Sequence, residues 1–195
     1  LEALRSARVL PVPAAGETSA RLVAPADAVM LTAGDAADDP VLVAALARHV
    51  DGLVHVPRAR RAAARRAGAR SRTLTDVVDD VPFADASLLR ALRPHARGRD
   101  AEAFAGLRVA LLGGAVAPGP RDVLLPPDSP ADDGRLTDAL RLLGASVADP
   151  EHAPADVHDV LERLGAVVAS PRVLLDGAAA RAAVATLDDA LDEAV

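Results

Sequence analysis

The sequence predicts an α+β fold built of two similar units, each a small, mostly antiparallel sheet covered by helices. Three observations carry this. Short apolar runs opened by arginine recur at Arg8-Val9-Leu10 and Arg108-Val109-Ala110-Leu111. Proline-punctuated strand patterns recur at Ala24-Pro25-Ala26-Asp27-Ala28-Val29-Met30-Leu31 and Gly119-Pro120-Arg121-Asp122-Val123-Leu124-Leu125. Glycine-stopped helix ends recur at Arg66-Ala67-Gly68-Ala69-Arg70 and Arg163-Leu164-Gly165-Ala166-Val167. The spacings are 100, 95 and 97 residues, and self-similarity at a nearly fixed period signals repeated structural units. The units expected are residues 1–98 and 99–195, divided within 92–103, where Pro94, Gly98 and mixed charge interrupt the apolar pattern.

In the first unit, residues 1–6 read as the end of a helix. Arg8–Val12 and residues 20–24 form a hairpin around a loop at 13–19. Ala28–Leu31 is a third strand, and small, acidic 32–39 a loop. Asp39-Pro40 opens a helix, with the aspartate as N-cap and proline at the first helical position, and Val41, Leu42, Ala45, Leu46 and His49 recur at helical spacing. Leu53–Val56 is a strand, and a helix from Pro57 ends at Gly68. Leu74–Val78 fits strand or helix, and Asp85–Ala91 is a helix halted near Pro94.

The second unit follows the same plan. Glu102–Ala105 leads into a hairpin of Arg108–Leu112 and Ala115–Ala117 around Gly113-Gly114. Val123–Leu125 is the third strand, and a helix from Asp133-Gly134 stops at Gly144. Ser146–Ala148 is a strand, Ala155–Leu164 a helix stopped by Gly165, and a last helix is expected over about 177–194.

Composition narrows the chemistry. The 195 residues allow a sizeable core, yet the aromatics are only Phe83 and Phe104, so Ala, Val and Leu must fill it. All 22 basic residues are Arg, a bias resembling that of a GC-rich bacterial genome. Without Lys, this chain holds no P-loop, Schiff-base or kinase-type lysine. Without Cys, it holds no disulfide, thiolate nucleophile or cysteine metal site. The net charge of −6 opposes nonspecific nucleic-acid binding. No apolar run reaches the roughly 18 residues a membrane span needs. The first residue is not Met and the last residues lie inside a helical pattern, so a segment of a longer protein is expected.

The most visible candidate site is Arg58, Arg60, Arg61, Arg65, Arg66, Arg70 and Arg72. Guanidinium groups at this density suit phosphate or nucleic acid; the competing reading is a solvated helix face neutralised by Asp76, Asp79, Asp80 and Asp85. The matching second-unit helix carries Asp156, Asp159, Glu162 and Arg163, so the two helices have opposite charge and pairing between units or between copies is an alternative. His49/His55 and His152/His158 share a six-residue spacing, which makes no compact metal motif. The run Val109–Gly114 lacks G-x-G-x-x-G spacing and reads as a hairpin. Asp79/Asp80 and Asp188/Asp189 are adjacent, not facing, and no serine has G-x-S-x-G context. No catalytic residue and no metal ligand is nominated, and the chain is read as a non-enzyme.

The stretches Ala7–Pro13, Leu22–Asp27, Gly119–Pro126, Leu161-Glu162-Arg163-Leu164-Gly165-Ala166 and Ser170-Pro171-Arg172 resemble the region downstream of the ATPase domain in large actinobacterial sacsin-like proteins. Those proteins are similar to the ninety-kilodalton heat-shock chaperones in their ATP-binding fold. The resemblance implies a cytoplasmic, non-catalytic interaction module whose partners are an upstream ATPase domain and protein clients. ATP would belong to the parent protein, and this segment would carry no cofactor. The family's nucleotide residues, an Asn/Glu helix and a D-x-G-x-G loop, are not in this sequence, so no functional residue is carried over. The alternative function is an anion- or nucleic-acid-binding module using Arg58, Arg61, Arg65, Arg66, Arg70 and Arg72.

Overall fold

The structure is a computed structural model that describes residues 10–12, 21–32, 34–127, 135–142, 144–170 and 172. The expected helices at 1–6 and 177–194 lie outside these residues. A hairpin pairs β1 (Leu10–Val12) with β2 (Arg21–Val23) antiparallel. A single 3-10 turn at Pro25–Asp27 redirects the chain into β3 (Val29–Leu31). Helices α1 (Asp35–Asp38) and α2 (Pro40–Leu46) follow. A 3-10 turn at Arg58–Arg60 runs into α3 (Arg61–Arg66), then β4 (Arg70–Arg72), α4 (Leu74–Asp79) and α5 (Ala86–Leu92).

Beyond a 3-10 turn at Ala101–Phe104, β5 (Val109–Ala110) and β6 (Val116–Ala117) make a second antiparallel hairpin. A 3-10 turn at Pro120–Asp122 leads to β7 (Leu124–Leu125), and α6 is Arg135–Leu142. A 3-10 turn at Ala155–Val157 runs into α7 (His158–Arg163), and β8 is Val167–Val168.

The helix signals hold where the local chemistry is complete. Asp39 caps α2, its Oδ1 accepting from the N–H groups of Val41 (2.8 Å) and Leu42 (3.3 Å), with Pro40 opening the first turn. Thr73 resolves the ambiguous Leu74–Val78 in favour of helix: its hydroxyl accepts from the Asp76 N–H while the Asp76 carboxylate accepts from the Thr73 N–H, a reciprocal cap. Asp85 caps α5 through the Leu88 N–H at 2.7 Å. Gly68 (φ 111°) and Gly165 (φ 109°) end α3 and α7 in the left-handed conformation that glycine adopts without strain. Residues 32–39 are not all loop, because the Ala36 N–H donates to the Asp100 carboxylate at 2.9 Å and fastens α1 across 64 residues.

The sheets are not mostly antiparallel. β3 pairs parallel with β4, and β7 parallel with β8. Bridges between Val29 and Leu53, Ala84 and Val109, and Leu124 and Val147 are also parallel, against one antiparallel bridge between Leu111 and Ala148. The hairpin reading is right for β1–β2 and β5–β6 but fails for the later strands. There, the intervening helices act as crossovers and return the chain in the same direction. The expected strand Leu53–Val56 reduces to the Leu53 bridge, with Val29 N–H donating to Gly52 O and Val54 N–H to Val29 O, both at 2.8 Å.

The same bonds recur further along the chain. Leu124 N–H donates to Ser146 O at 2.8 Å and Ala148 N–H to Leu124 O at 2.9 Å. Arg70 N–H donates to Ala28 O at 2.9 Å, and Val167 N–H to Val123 O at 3.1 Å. Ala69 N–H reaches Ala64 O (3.0 Å) past Gly68, as Ala166 N–H reaches Leu161 O (2.9 Å) past Gly165.

One hydrophobic cluster runs from Val29 through Leu92 and Phe104 to Leu161 and Ala166, crossing the expected division at 98/99 without a break. Smaller clusters lie around Met30, Val54 and Val56 and around Leu140, Val147 and Ala169. Segment 92–103 is fastened: His95 and Ala96 are buried, and α5 packs on both α2 and α7. Phe104, fully buried under α4, is among the largest side chains in the shared core. Phe104→Ala is expected to lower unfolding free energy by about 4 kcal/mol, measured by urea denaturation; a loss below about 1 kcal/mol would contradict a core built on it.

Candidate functional site

The arginine patch does not come together as one surface. Arg61 is buried at 7% exposure, inside the first turn of α3. Its Nε donates to Val56 O at 3.0 Å, and an Nη donates to Ala37 O (2.7 Å) and to Asp38 Oδ1 (2.5 Å). These bonds tie α3 to α1, so Arg61 is a structural cation and no part of an open face. Arg72 is also engaged, with the Asp80 carboxylate and the Asp76 carbonyl. Hydrogen bonding to Asp80 raises the Arg72 pKa, and the same bond holds the Asp80 carboxyl below its ordinary value. Arg58, Arg60, Arg65, Arg66 and Arg70 are exposed and form no ion pair among the described residues.

Two concavities divide what remains. One, of about 390 Å³, is lined by Thr32, Asp35, Asp38, Arg58, Arg61 and Arg65 beyond the carboxyl end of β3. Asp38 is already bound to Arg61, leaving Arg58 and Arg65 to face Asp35. The other, of about 600 Å³, is lined by His49, Asp51, Arg70, Ser71, Arg72 and Asp80. His49 Nε2 lies 3.5 Å from Asp85 Oδ2 without a hydrogen bond, and the buried Nε2 of His55 and Oγ of Ser71 also lack partners among the described residues. Arg58, Arg61 and Arg65 thus share one concavity, Arg70 and Arg72 the other, and Arg66 lines neither.

The acidic residues of the matching helix meet a different element from the one their charge suggests. Asp156 accepts two bonds from Arg90 of α5, at 2.8 and 3.1 Å. Arg93 donates to the Asp156 carbonyl and to Asp159 at 3.1 Å. The bond from Arg90 holds the Asp156 carboxyl below its ordinary value. The contact is therefore α5 on α7, with α3 taking no part.

The histidines separate. His152 stacks obliquely on Phe83 with ring centres 4.8 Å apart. His158 is buried and bonds Ala153 O at 3.1 Å. Among the described residues, no group of three or more His, Asp or Glu converges as a metal site would require. Gly113 and Gly114 both have positive φ and close the β5–β6 hairpin. Asp79 and Asp80 are exposed, and Asp188/Asp189 lie outside the described residues.

Sequence reasoning missed the His95–Asp39 pair. His95 Nε2 lies 2.8 Å from Asp39 Oδ2, linking the chain after α5 to the start of α2. Burial opposes ionisation of Asp39, but bonds from His95 and from the Val41 and Leu42 N–H groups outweigh it and hold the carboxyl below its ordinary value. The pair lines neither concavity. It couples two helices, and 56 residues of separation leave no local signal for it.

Comparison with protein-family models, curated proteins and solved structures gives no match. No helix among the described residues is long and apolar enough to cross a membrane.

Two outcomes follow. Arg61→Met is expected to lose about 3 kcal/mol of stability, from unpaired buried carbonyls, while Arg65→Ala changes it by less than about 0.5 kcal/mol; equal effects in thermal denaturation would contradict the assignment. A carboxyl with a depressed folded-state pKa contributes stability above the ordinary carboxylate range and loses it as pH falls through the folded value. Asp39→Asn keeps an oxygen for the cap but removes this titration, so its stability should fall less steeply than the parent's between about pH 5 and pH 2. Parallel acid limbs would contradict the pair's role.

Proposed function

We propose that the chain is a non-catalytic structural and interaction module of a larger sacsin-like, chaperone-like ATP-binding protein, formed by two similar units over residues 1–98 and 99–195. The reading is carried by one pair of groups. Arg61 and His158 occupy the first turns of α3 and α7, 97 residues apart, and both are buried. Each donates to the carbonyl five residues earlier, Val56 O at 3.0 Å and Ala153 O at 3.1 Å. Two different side chains performing one bond at equivalent positions is what divergence from a common unit leaves behind. The recurring β3 and β7 bonds support the same reading.

The buried polar side chains Arg61, His95 and His158 all hold elements together, which supports a supporting role for the chain. Its partners are then the upstream ATPase domain and protein clients in the cytoplasm. ATP belongs to the parent, and this chain carries no cofactor of its own. A second reading rests on the exposed arginines Arg58, Arg65, Arg66 and Arg70: an anion- or nucleic-acid-binding face, whose affinity would fall steeply with salt.

The purified chain is expected to hydrolyse ATP no faster than buffer, assayed by phosphate release. Turnover that a single substitution in either concavity abolishes would overturn the non-catalytic reading.

A further inference from the structure

Strand β3 is central among its neighbours. Val29 N–H and O bond the Leu53 segment on one side, while Ala28 O and Thr32 N–H bond β4 on the other, and both neighbours run parallel to β3. Helix α2 buries Leu42, Val43 and Leu46 with Val29 and Leu31, on one face of the strand. Ala64 of α3 is buried with Met30, on the opposite face. The two crossovers therefore part to opposite faces beyond the carboxyl end of β3. Parallel sheets take ligands in the crevice at such a point, where the loops of both crossovers converge. The concavity of about 390 Å³ occupies this place, between α1 and the start of α3.

Its cationic lining is more than the fold requires. Arg58 and Arg65 are exposed and form no ion pair among the described residues. Ninety-seven residues on, Ala155 and Glu162 stand at their positions, and the same turn and helix form without them. Arg61 is only 7% exposed, with Nε and one Nη held by Val56 O, Ala37 O and Asp38. Its other terminal nitrogen, Nη1, makes no hydrogen bond among the described residues and is not sealed from solvent. A guanidinium fixed by three bonds thus keeps two unused N–H groups at this concavity. Asp38 is matched by Arg61, which leaves Arg58 and Arg65 against the single carboxylate of Asp35. Thr32 gives its hydroxyl proton to Arg72 O at 3.1 Å and adds no donor. The lining therefore offers several guanidinium donors and one free carboxylate acceptor.

We propose that this concavity binds a phosphomonoester of a small hydroxylated molecule. The phosphoryl group takes the donors of Arg58, Arg65 and Arg61 Nη1, and a hydroxyl of the body donates to Asp35. A phosphoryl group carries about −1.5 to −2 charge at pH 7 and three acceptor oxygens, which suits several planar guanidinium groups better than a lone carboxylate does. Inorganic phosphate alone would leave Asp35 as a repelling neighbour. The volume lies near the lower end of small-molecule sites, roughly 300–1,000 Å³, and has room for a small sugar beside the phosphoryl group. The inference deepens the second reading above, that the exposed arginines bind anions, and rests on it.

Titration calorimetry of the full chain with ribose 5-phosphate, inorganic phosphate and ribose tests this. Ribose 5-phosphate should bind saturably at one site per chain, inorganic phosphate more weakly and ribose not at all. Arg58→Ala/Arg65→Ala should weaken ribose 5-phosphate at least about tenfold, with the unfolding temperature of the free chain unchanged. Arg66→Ala/Arg70→Ala, outside the concavity, should leave binding within about twofold. Asp35→Ala should cut the preference for ribose 5-phosphate over inorganic phosphate at least about fivefold; repulsion of the phosphoryl group cancels from that ratio. The proposal is overturned by absence of saturable binding, by equal loss in the two arginine pairs, or by a preference that Asp35→Ala leaves intact. Heparin retention separates this site from the reading beneath it. Retention that both arginine pairs reduce equally, without ribose 5-phosphate binding, keeps the arginine face for polyanions and removes the site. A parent chain that binds neither probe removes both.

Discussion

Helix α5 holds the molecule together because it belongs to two neighbourhoods at once. Leu88, Leu89 and Leu92 are fully buried, and the helix packs against α2 on one side and α7 on the other. A chain with two phenylalanines and no other aromatic residue has little bulk with which to build separate cores. Apolar burial contributes about 25 cal/mol per Å², and alanine brings little area. Pooling the small side chains of residues 29–111 with those of 117–166 in one cluster offsets that shortage. The Ala84 N–H donating to Arg108 O at 2.8 Å adds a backbone seam along the same line.

Polar groups reinforce this joint at several points. Asp39 faces two ways, capping α2 and holding His95 just beyond α5. Asp85 caps α5 itself and lies 3.7 Å from Arg48. Asp100 reaches back to the Ala36 N–H at 2.9 Å. The His95–Asp39 and Ala36–Asp100 bonds join segments 56 and 64 residues apart, and breaking either leaves a partly buried polar group unsatisfied. The segment after α5, which composition marks as a linker, is thus part of the fastening.

What the sequence discloses is local. Asp39-Pro40, the hairpin glycines and the stops at Gly68 and Gly165 are legible because cap and turn chemistry acts over a few residues. Parallel pairing was not legible, since strands of two or three residues carry no direction and the partners are set by crossovers. The candidate site suffered most. Arg61 lies in a run of arginines and looks like its neighbours, yet the nearby Val56 carbonyl and two oxygens of α1, from Ala37 and Asp38, draw it inside. Arg90 and Arg93 carried no signal for Asp156 and Asp159, because the residues facing an acidic helix are fixed by packing between helices. Opposite charge on α3 and α7 was visible; that α5 covers α7 was not.

Native-state hydrogen exchange tests the single shared core most directly. The amides of Val54, Arg70, Ala84, Ala148 and Val167 are bonded across strands on both sides of α5. If one core holds them all, they exchange with one common opening free energy, equal to that of global unfolding. If Ala148 and Val167 open at markedly lower free energy than Val54 and Arg70, the two parts unfold separately and the account is wrong.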